Sequence, residues 1–118
     1  MGKIEITLEA KKIGEDYLLI LTGGEEHVGA VAVGLFEEKS HRASSSVITM
    51  PGHREEYLAL QGARQVSRAT RKTSVFVVGI HQDNINPEEI KNIVSATEEM
   101  VESFIAFYEK GEEEGFVE

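Results

Sequence analysis

The sequence predicts an α+β fold (mixed α/β), in which two helices pack against one mixed sheet in the order β-β-β-β-α-β-α. Up to about residue 50, four short apolar segments separated by turn residues read as strands, and the first of them alternates apolar and polar residues at a period of two. After that point, two stretches with helical spacing flank one short run of β-branched and aromatic residues. A chain of 118 residues can bury one core, so we expect a single compact domain over residues 1–110 and an acidic tail over residues 111–118.

Four strands precede the first predicted helix. Apolar residues alternate with charged and polar ones from Ile4 to Ala10, and after the turn "KKIGED" the segment "YLLILTG" forms a second, more apolar strand. The third strand, Val28 to Phe36, carries glycine and alanine between its larger apolar residues. Small residues there allow another element or a ligand to approach the backbone closely. A loop then leads to the fourth strand, "SSVITM".

The first helix is predicted from about His53 to Thr70, directly after Pro51-Gly52 ends the fourth strand. Glu55 and Glu56 stand in its first turn, where negative charge interacts favourably with the helix dipole. We expect both carboxylates to be exposed and to serve solvation and the dipole only. The next run, "TSVFVVGI", is typical of a strand buried on both faces.

The second helix has a strong start signal. Asn86 can cap it, Pro87 fits the first helical position, and Glu89 stands three residues after the cap. Helical spacing of apolar residues then continues to Gly111, which is a good stop.

Composition and charge exclude several classes of protein. The chain has no cysteine, which excludes disulfides, thiolate metal sites and cysteine nucleophiles. A net charge of −9 argues against nucleic-acid binding, and no apolar run approaches the roughly 20 residues of a membrane span. The alternating N-terminus is unlike a signal peptide. We expect a cytoplasmic protein with neither nucleic-acid nor membrane partners.

The basic residues are concentrated in the segment from Arg42 to Lys72, which holds six of them against two acidic residues. Three of the arginines, Arg64, Arg68 and Arg71, fall on one face of the first helix. This basic segment either meets an anionic ligand or an acidic partner, or is a solvated helix face.

Three breaks after strands bring glycine and histidine together: "TGGEEHVGA", "MPGHRE" and "GIHQDN". In the second of them, Gly52 allows an anion to approach the unpaired N–H groups of a helix start, and His53 and Arg54 add donors. A phosphate fits such a site. The spacing matches neither a P-loop nor a dinucleotide-binding fold, which argues against nucleotide hydrolysis.

The same three histidines are the candidates for a metal site. Imidazole suits zinc, copper, iron or nickel, and strands of one sheet can bring His27, His53 and His81 to the same edge. Their spacings of 26 and 28 residues, however, carry no information on geometry. No acid–base dyad or nucleophile elbow is evident from the sequence.

Taken together in register, the segments "TGGEEHVGAVAV", "VITMPGHREE" and "VFVVGIHQDNINPEEI" resemble the small prenylated-flavin chaperone family. This is the LpdD-like group, related to the small D subunit of gallate-type, UbiD-linked decarboxylases. The likeness covers nearly the whole chain. It implies a small non-enzyme that holds prenylated FMN for delivery to a UbiD-type decarboxylase apoenzyme. We also expect the chain to form a homodimer or higher homo-oligomer.

The resemblance also implies which residues bind the cofactor. The positions that match the family motifs and are expected to contact it are Gly23, Gly24, His27, Gly29, Ala30, Gly52, His53, Arg54, His81 and Asn84. Pro51, Gly79 and Asp83 match the same motifs.

Several assignments stay open at this point. The aromatic residues available to stack on a flavin ring are Tyr17, Tyr57, Phe36 and Phe76. Two other functions use the same loops or helices. One is a metal- or histidine-dependent enzyme, and the other is a non-catalytic assembly factor that docks through the arginine stripe.

Overall fold

The computed structural model describes residues 5–50, 55–110 and 116–117. Its elements in chain order are β1 (Ile6–Ile13), β2 (Asp16–Gly24), β3 (Ala30–Glu37), β4 (Arg42–Thr49), α1 (Glu56–Thr70), β5 (Ser74–His81), α2 (Pro87–Glu109) and β6 (Phe116–Val117). The α+β class and the order β-β-β-β-α-β-α are confirmed. The short β6 is additional.

The strands form one mixed sheet in the order β4-β3-β5-β2-β1-β6. β2 and β5 are parallel, and every other neighbouring pair is antiparallel. A parallel pair needs a long crossover, which here runs through β3, β4 and α1, whereas antiparallel neighbours can be joined by short turns. The turn between β1 and β2 includes Gly14, whose φ of 62° favours glycine. β1 extends to Ile13, beyond its predicted end at Ala10.

Both helices pack on the same face of the sheet, because only one face carries the alternating apolar residues that are fully buried. Val78, Leu21 and Leu8 lie side by side across β5, β2 and β1. α2 adds Phe104, whose ring meets that of Tyr17 edge to face at 5.4 Å. Burial of such side chains contributes about 1.5–3 kcal/mol each to folding.

Close approach of α1 to β3 depends on the small residues of that strand. Ala32 and Gly34 face the helix, and a Cβ at Gly34 would run into the carbonyl oxygen of Ala63. Ser74 of the neighbouring strand donates to the same carbonyl oxygen at 2.9 Å. From the sequence, either another element or a ligand is expected beside the small residues of the third strand. The structure shows that α1 occupies this space.

The opposite face of the sheet is covered by neither of the two helices of the described segments. We call it the open face. Its central residues are apolar and half-buried or exposed: Leu18, Ile20, Val31, Val33, Leu35, Ile48, Val75 and Val77. The prediction that β5 is buried on both faces is wrong for the described chain, since Val75 and Val77 stay partly accessible.

The helix ends follow the sequence in one case and differ in the other. Asn86 caps α2 in a capping box: its side chain accepts from Glu89 N at 2.7 Å, and Glu89 accepts from Asn86 N at 3.0 Å. This prediction is confirmed. The N-cap of α1 is Glu55, which makes no side-chain capping bond.

The C-terminal tail contributes a strand that the sequence did not predict. Val117 pairs with Glu9, and Phe116 pairs with Ala10, at the free edge of β1.

Neither α1 nor α2 has an apolar stretch long enough to cross a membrane.

The close packing of α1 on β3 predicts that Gly34→Ala lowers the free energy of unfolding by about 2 kcal/mol or more, because the added methyl group pushes the helix backbone away from the strand. Urea unfolding followed by circular dichroism measures this. Ser46→Ala is the control on the paired strand β4, where the side chain is exposed, and we expect its effect to stay within about 0.5 kcal/mol. An equal effect of both changes would contradict the packing described.

Candidate functional site

The ends of four strands meet along one side of the sheet, which we call the sheet edge. β2 and β5 are parallel and end there, β4 ends there, and β3 begins there. The α1 start joins them through Glu55. We call this group, residues Gly23–Gly29, Met50, Glu55 and Gly79–Asn84, the strand-end cluster. Carboxyl ends of parallel strands are the usual place for ligands in sheets that carry helices.

The loop between β2 and β3 is held to its neighbours by backbone hydrogen bonds. Glu25 N donates to His81 O at 3.0 Å, and Gly29 N donates to Val78 O at 2.9 Å. Met50 N at the end of β4 donates to Gly29 O at 2.8 Å. The loop therefore lies across the end of β5, in a position fixed on both sides.

Glycine is required where this loop crosses β5. A Cβ at Gly79 would overlap the carbonyl of His27. The glycine that the sequence motif "GIHQDN" carries thus serves contact between backbones rather than contact with a ligand.

The central contact of the cluster joins His27 to Glu55. His27 Nε2 lies 2.9 Å from Glu55 Oε2, and the Glu55 side chain is only 10% exposed. Oε2 also accepts from Ile80 N at 3.4 Å. This carboxylate therefore links the start of α1 to the loop after β2 and to the end of β5.

The expectation that Glu55 is an exposed carboxylate is wrong. The space it occupies is opened by Gly29, where a Cβ would overlap Glu55 Oε2. Burial of a carboxylate is costly unless hydrogen bonds compensate it, and His27 and Ile80 N supply them. Glu56, the next residue, is also partly buried, with an Oε2 atom that has no hydrogen-bond partner within the described segments.

Both ring nitrogens of His27 face acceptors. Nδ1 lies 3.0 Å from the carbonyl oxygen of Glu25, which only accepts, so Nδ1 carries a hydrogen. Nε2 faces Glu55 Oε2, so the two ring nitrogens bond to two different segments of the cluster.

His81 and Asn84 lie at the more exposed side of the cluster. The His81 ring is 6.2 Å from that of His27, centroid to centroid, and its Nε2 lies 3.0 Å from Asp83 Oδ1. Asn84 adopts a φ of 58° in the turn that follows, a conformation that asparagine tolerates better than most residues. The structure thus brings two of the three predicted glycine–histidine loops together.

An open depression of about 530 Å³ adjoins the cluster. Its volume falls within the range of small-molecule sites. The residues that line it are Glu5, Thr7, Thr22, Gly23, Gly24, Glu26 and Gln82. Gly23 and Gly24 of the predicted binding set are therefore beside a concave surface, whereas Ala30 is fully buried and offers none.

The third loop lies mostly outside the described residues. Pro51, Gly52, His53 and Arg54, including three of the predicted binding residues, are not among them. Their described neighbours on both sides are bonded to the loop after β2: Met50 to Gly29 and Glu55 to His27. Among residues 5–50, 55–110 and 116–117, no group of three histidine or carboxylate side chains is placed to hold a metal ion.

Three of the four candidate stacking rings are not available at the cluster. Tyr17 and Phe76 are buried in the core. Phe36 lies at the opposite end of β3, where the Arg71 guanidinium sits 5.5 Å from its ring centre. Tyr57, in the first turn of α1, is exposed.

Glu55 is the site residue that sequence reasoning missed. The available signal was weak: a glycine, Gly29, near the start of the predicted third strand, and a glutamate directly after the histidine and arginine of "PGHRE". Glu55 reaches the cluster through its contact with His27, which lies 28 positions earlier in the chain, and local patterns do not encode such a contact.

Comparison with known families now identifies the chain. A family model described as the prenylated flavin chaperone LpdD-like domain matches residues 1–109, and the chain therefore belongs to this family. None of the curated proteins compared with it matches significantly.

The buried contact between His27 and Glu55 predicts that their double variant is more stable than one of the single variants. His27→Ala removes the imidazole that bonds the buried Glu55 carboxylate, and we expect a loss of about 3 kcal/mol. Adding Glu55→Gln to that variant replaces the buried carboxylate with a neutral amide, so the double variant is more stable than His27→Ala alone. Urea unfolding of the four proteins in a double-mutant cycle measures this.

His81→Ala is the control for this cycle, since its partner Asp83 is well exposed, and its cost stays below about 1 kcal/mol. Additive effects of His27→Ala and Glu55→Gln would contradict a coupled buried pair.

Proposed function

We propose that this member of the LpdD-like prenylated flavin chaperone family binds prenylated FMN at the strand-end cluster and delivers it to the apoenzyme of a UbiD-type decarboxylase. The protein acts as a non-catalytic carrier in the cytoplasm. The observation that carries the proposal is the convergence of two of the three predicted glycine–histidine loops at one side of the sheet, next to the start of a helix.

The phosphate of the cofactor is bound by the segment from Gly52 to Arg54. Met50 and Glu55 anchor the two ends of this segment to the loop after β2. The start of a helix carries the positive end of its dipole and free N–H groups, and His53 and Arg54 add side-chain donors. An anionic group is thereby recognised in a chain whose net charge is −9.

The isoalloxazine part of the cofactor lies towards the depression beside Gly23 and Gly24. Gly24 is exposed, and the absence of a side chain there leaves room for a flat ring. Gln82, His81 and Asn84 offer polar groups to its edge from the end of β5. Tyr57 is the remaining exposed ring among the four stacking candidates.

His27 acts on the cofactor through Glu55. Its two ring nitrogens are engaged by Glu25 O and Glu55 Oε2, so its role is to fix the residue that directly follows Arg54. A positioning role of this kind keeps the anion-binding segment at the sheet edge.

A histidine-dependent enzyme is the second candidate, and the His27–Glu55 contact is the observation that favours it. A general base, however, must present one ring nitrogen to its substrate. In His27 the nitrogen opposite Glu55 is bonded to a backbone carbonyl oxygen. The carrier function therefore fits the geometry better. A metal-dependent variant of this candidate would have to take ligands from residues 51–54.

The third candidate, an assembly factor, uses the arginines of α1. Arg64 and Arg68 are exposed on that helix, and Arg64 donates to Gln61 within the same helix at 2.8 Å. Exposure to solvent is sufficient to explain the position of both arginines without a partner protein. We propose that the chain also forms a homodimer, by a different surface.

Anaerobic reconstitution tests the carrier function. Protein mixed with prenylated FMN and separated by gel filtration retains the flavin spectrum in a 1:1 ratio, and it then activates a UbiD-type apo-decarboxylase in proportion to the flavin lost. Absence of binding to both FMN and prenylated FMN would exclude the carrier function. Turnover of a substrate without the decarboxylase would favour the enzyme instead.

Two substitutions locate the phosphate site. Arg54→Ala and His53→Ala each remove a charge-assisted hydrogen bond, and we expect the Kd for the flavin to rise about tenfold or more. Arg64→Ala is the matched control on α1, and its Kd stays within about twofold of the parent. Fluorescence titration measures all three, and equal Kd values for Arg54→Ala and Arg64→Ala would place the phosphate elsewhere.

A further inference from the structure

The open face of the sheet is a contiguous apolar surface. Across β4, β3 and β5, Ile48 is paired with Val31, and Val31 with Val77; one step further along, Val33 is paired with Val75. Exposed fractions are 41% for Val33, 52% for Leu35 and 70% for Ile48. Neighbouring apolar side chains exposed in this way mark an interaction surface rather than scattered surface residues.

The size of this face suits a protein interface. Four strands, β4, β3, β5 and β2, spaced about 4.8 Å apart and eight residues long at about 3.3 Å each, span a flat area on the order of 500 Å². The accessible surface of protruding side chains exceeds the flat area. It therefore approaches the roughly 800 Å² per partner of a standard interface.

The central strand gives a second indication. Apolar residues occupy both faces of β5, with Phe76 and Val78 towards the helices and Val75 and Val77 towards the open face. A continuous apolar run of this kind belongs to a strand covered on both sides. In the described segments, α1 and α2 cover one face of β5 and leave its other face uncovered.

The charge of the face indicates which partner covers it. The chain carries −9, so two copies repel each other over most of their surfaces. The open face is uncharged at its centre. At its margins, opposite charges are neighbours: Glu9 and Lys11 on β1, and Glu37 paired with Arg42 between β3 and β4. Two acidic chains meet on this face at the least electrostatic cost.

From these observations we infer that the open face is the contact between two copies of this chain, which pack sheet on sheet about a two-fold axis. A two-fold contact is self-complementary, and flat faces of β-branched residues pack at about 10 Å in this way. The inference specifies the surface of the homodimer in the proposed function and does not depend on flavin binding.

The dimer also has a consequence for the strand-end cluster. On the open-face side of β5, the row of residues continues from Val75 and Val77 to Gly79, which the loop after β2 covers, and to His81. A second copy on the open face therefore lies beside the cluster of the first. Each site is bordered by the partner's sheet.

Sedimentation of the flavin-free protein tests the inference. The parent protein sediments with the mass of two chains at micromolar concentration. Val33→Glu places a charge at the centre of the contact and raises the dimer dissociation constant at least about 100-fold. Ile90→Glu is the matched control, because Ile90 is 49% exposed at the start of α2, away from the open face, and this variant stays dimeric.

Three results would overturn the inference: a monomeric parent at about 100 μM, a dimeric Val33→Glu protein, or dissociation caused equally by Ile90→Glu. Circular dichroism verifies that each variant is folded. Thiol protection gives a second measurement, since the chain has no cysteine of its own. Val33→Cys reacts with iodoacetamide more slowly as protein concentration rises, whereas Ile90→Cys reacts at a constant rate; equal rates at all concentrations contradict the contact.

Discussion

The Glu55 carboxylate is the group on which the arrangement of this edge of the sheet depends. It is bound by His27 and by the backbone of Ile80, so a single side chain joins α1, the loop after β2 and the end of β5. Two glycines make the arrangement possible, because Gly29 leaves space for the carboxylate and Gly79 leaves space for the loop. A buried carboxylate stays only where its hydrogen bonds are complete, and this requirement fixes the relative positions of all three elements.

The remainder of the fold places this edge beside an open apolar face. The helices cover one face of the sheet, and Gly34 lets α1 approach β3 closely enough to bring its first turn to the edge. The other face stays apolar and nearly neutral. A carrier that releases its cargo to another protein benefits from a site at an edge, where the cofactor is reached without unfolding of the core.

Much of the fold was predictable because its signals are local. The alternation in β1 and the capping residues Asn86 and Glu89 each act within a few positions, and the structure follows them. The convergence of the His27 and His81 loops was foreseen from strand ends sharing an edge. The burial of Glu55 was not, since it needs a glycine 26 residues earlier in the chain. The pairing of Val117 with Glu9 escaped prediction for the same reason: it joins distant residues, and an acidic tail carries little strand signal.

The central claim is that prenylated FMN is held at the strand-end cluster, and amide hydrogen exchange of the anaerobic protein with and without the cofactor tests it most directly. The account predicts that bound cofactor slows exchange in three segments, residues 23–29, 50–56 and 79–84, while the exposed side of α2 keeps its rate. Slowed exchange confined to the two helices, or no change in the three segments despite bound flavin, would contradict it.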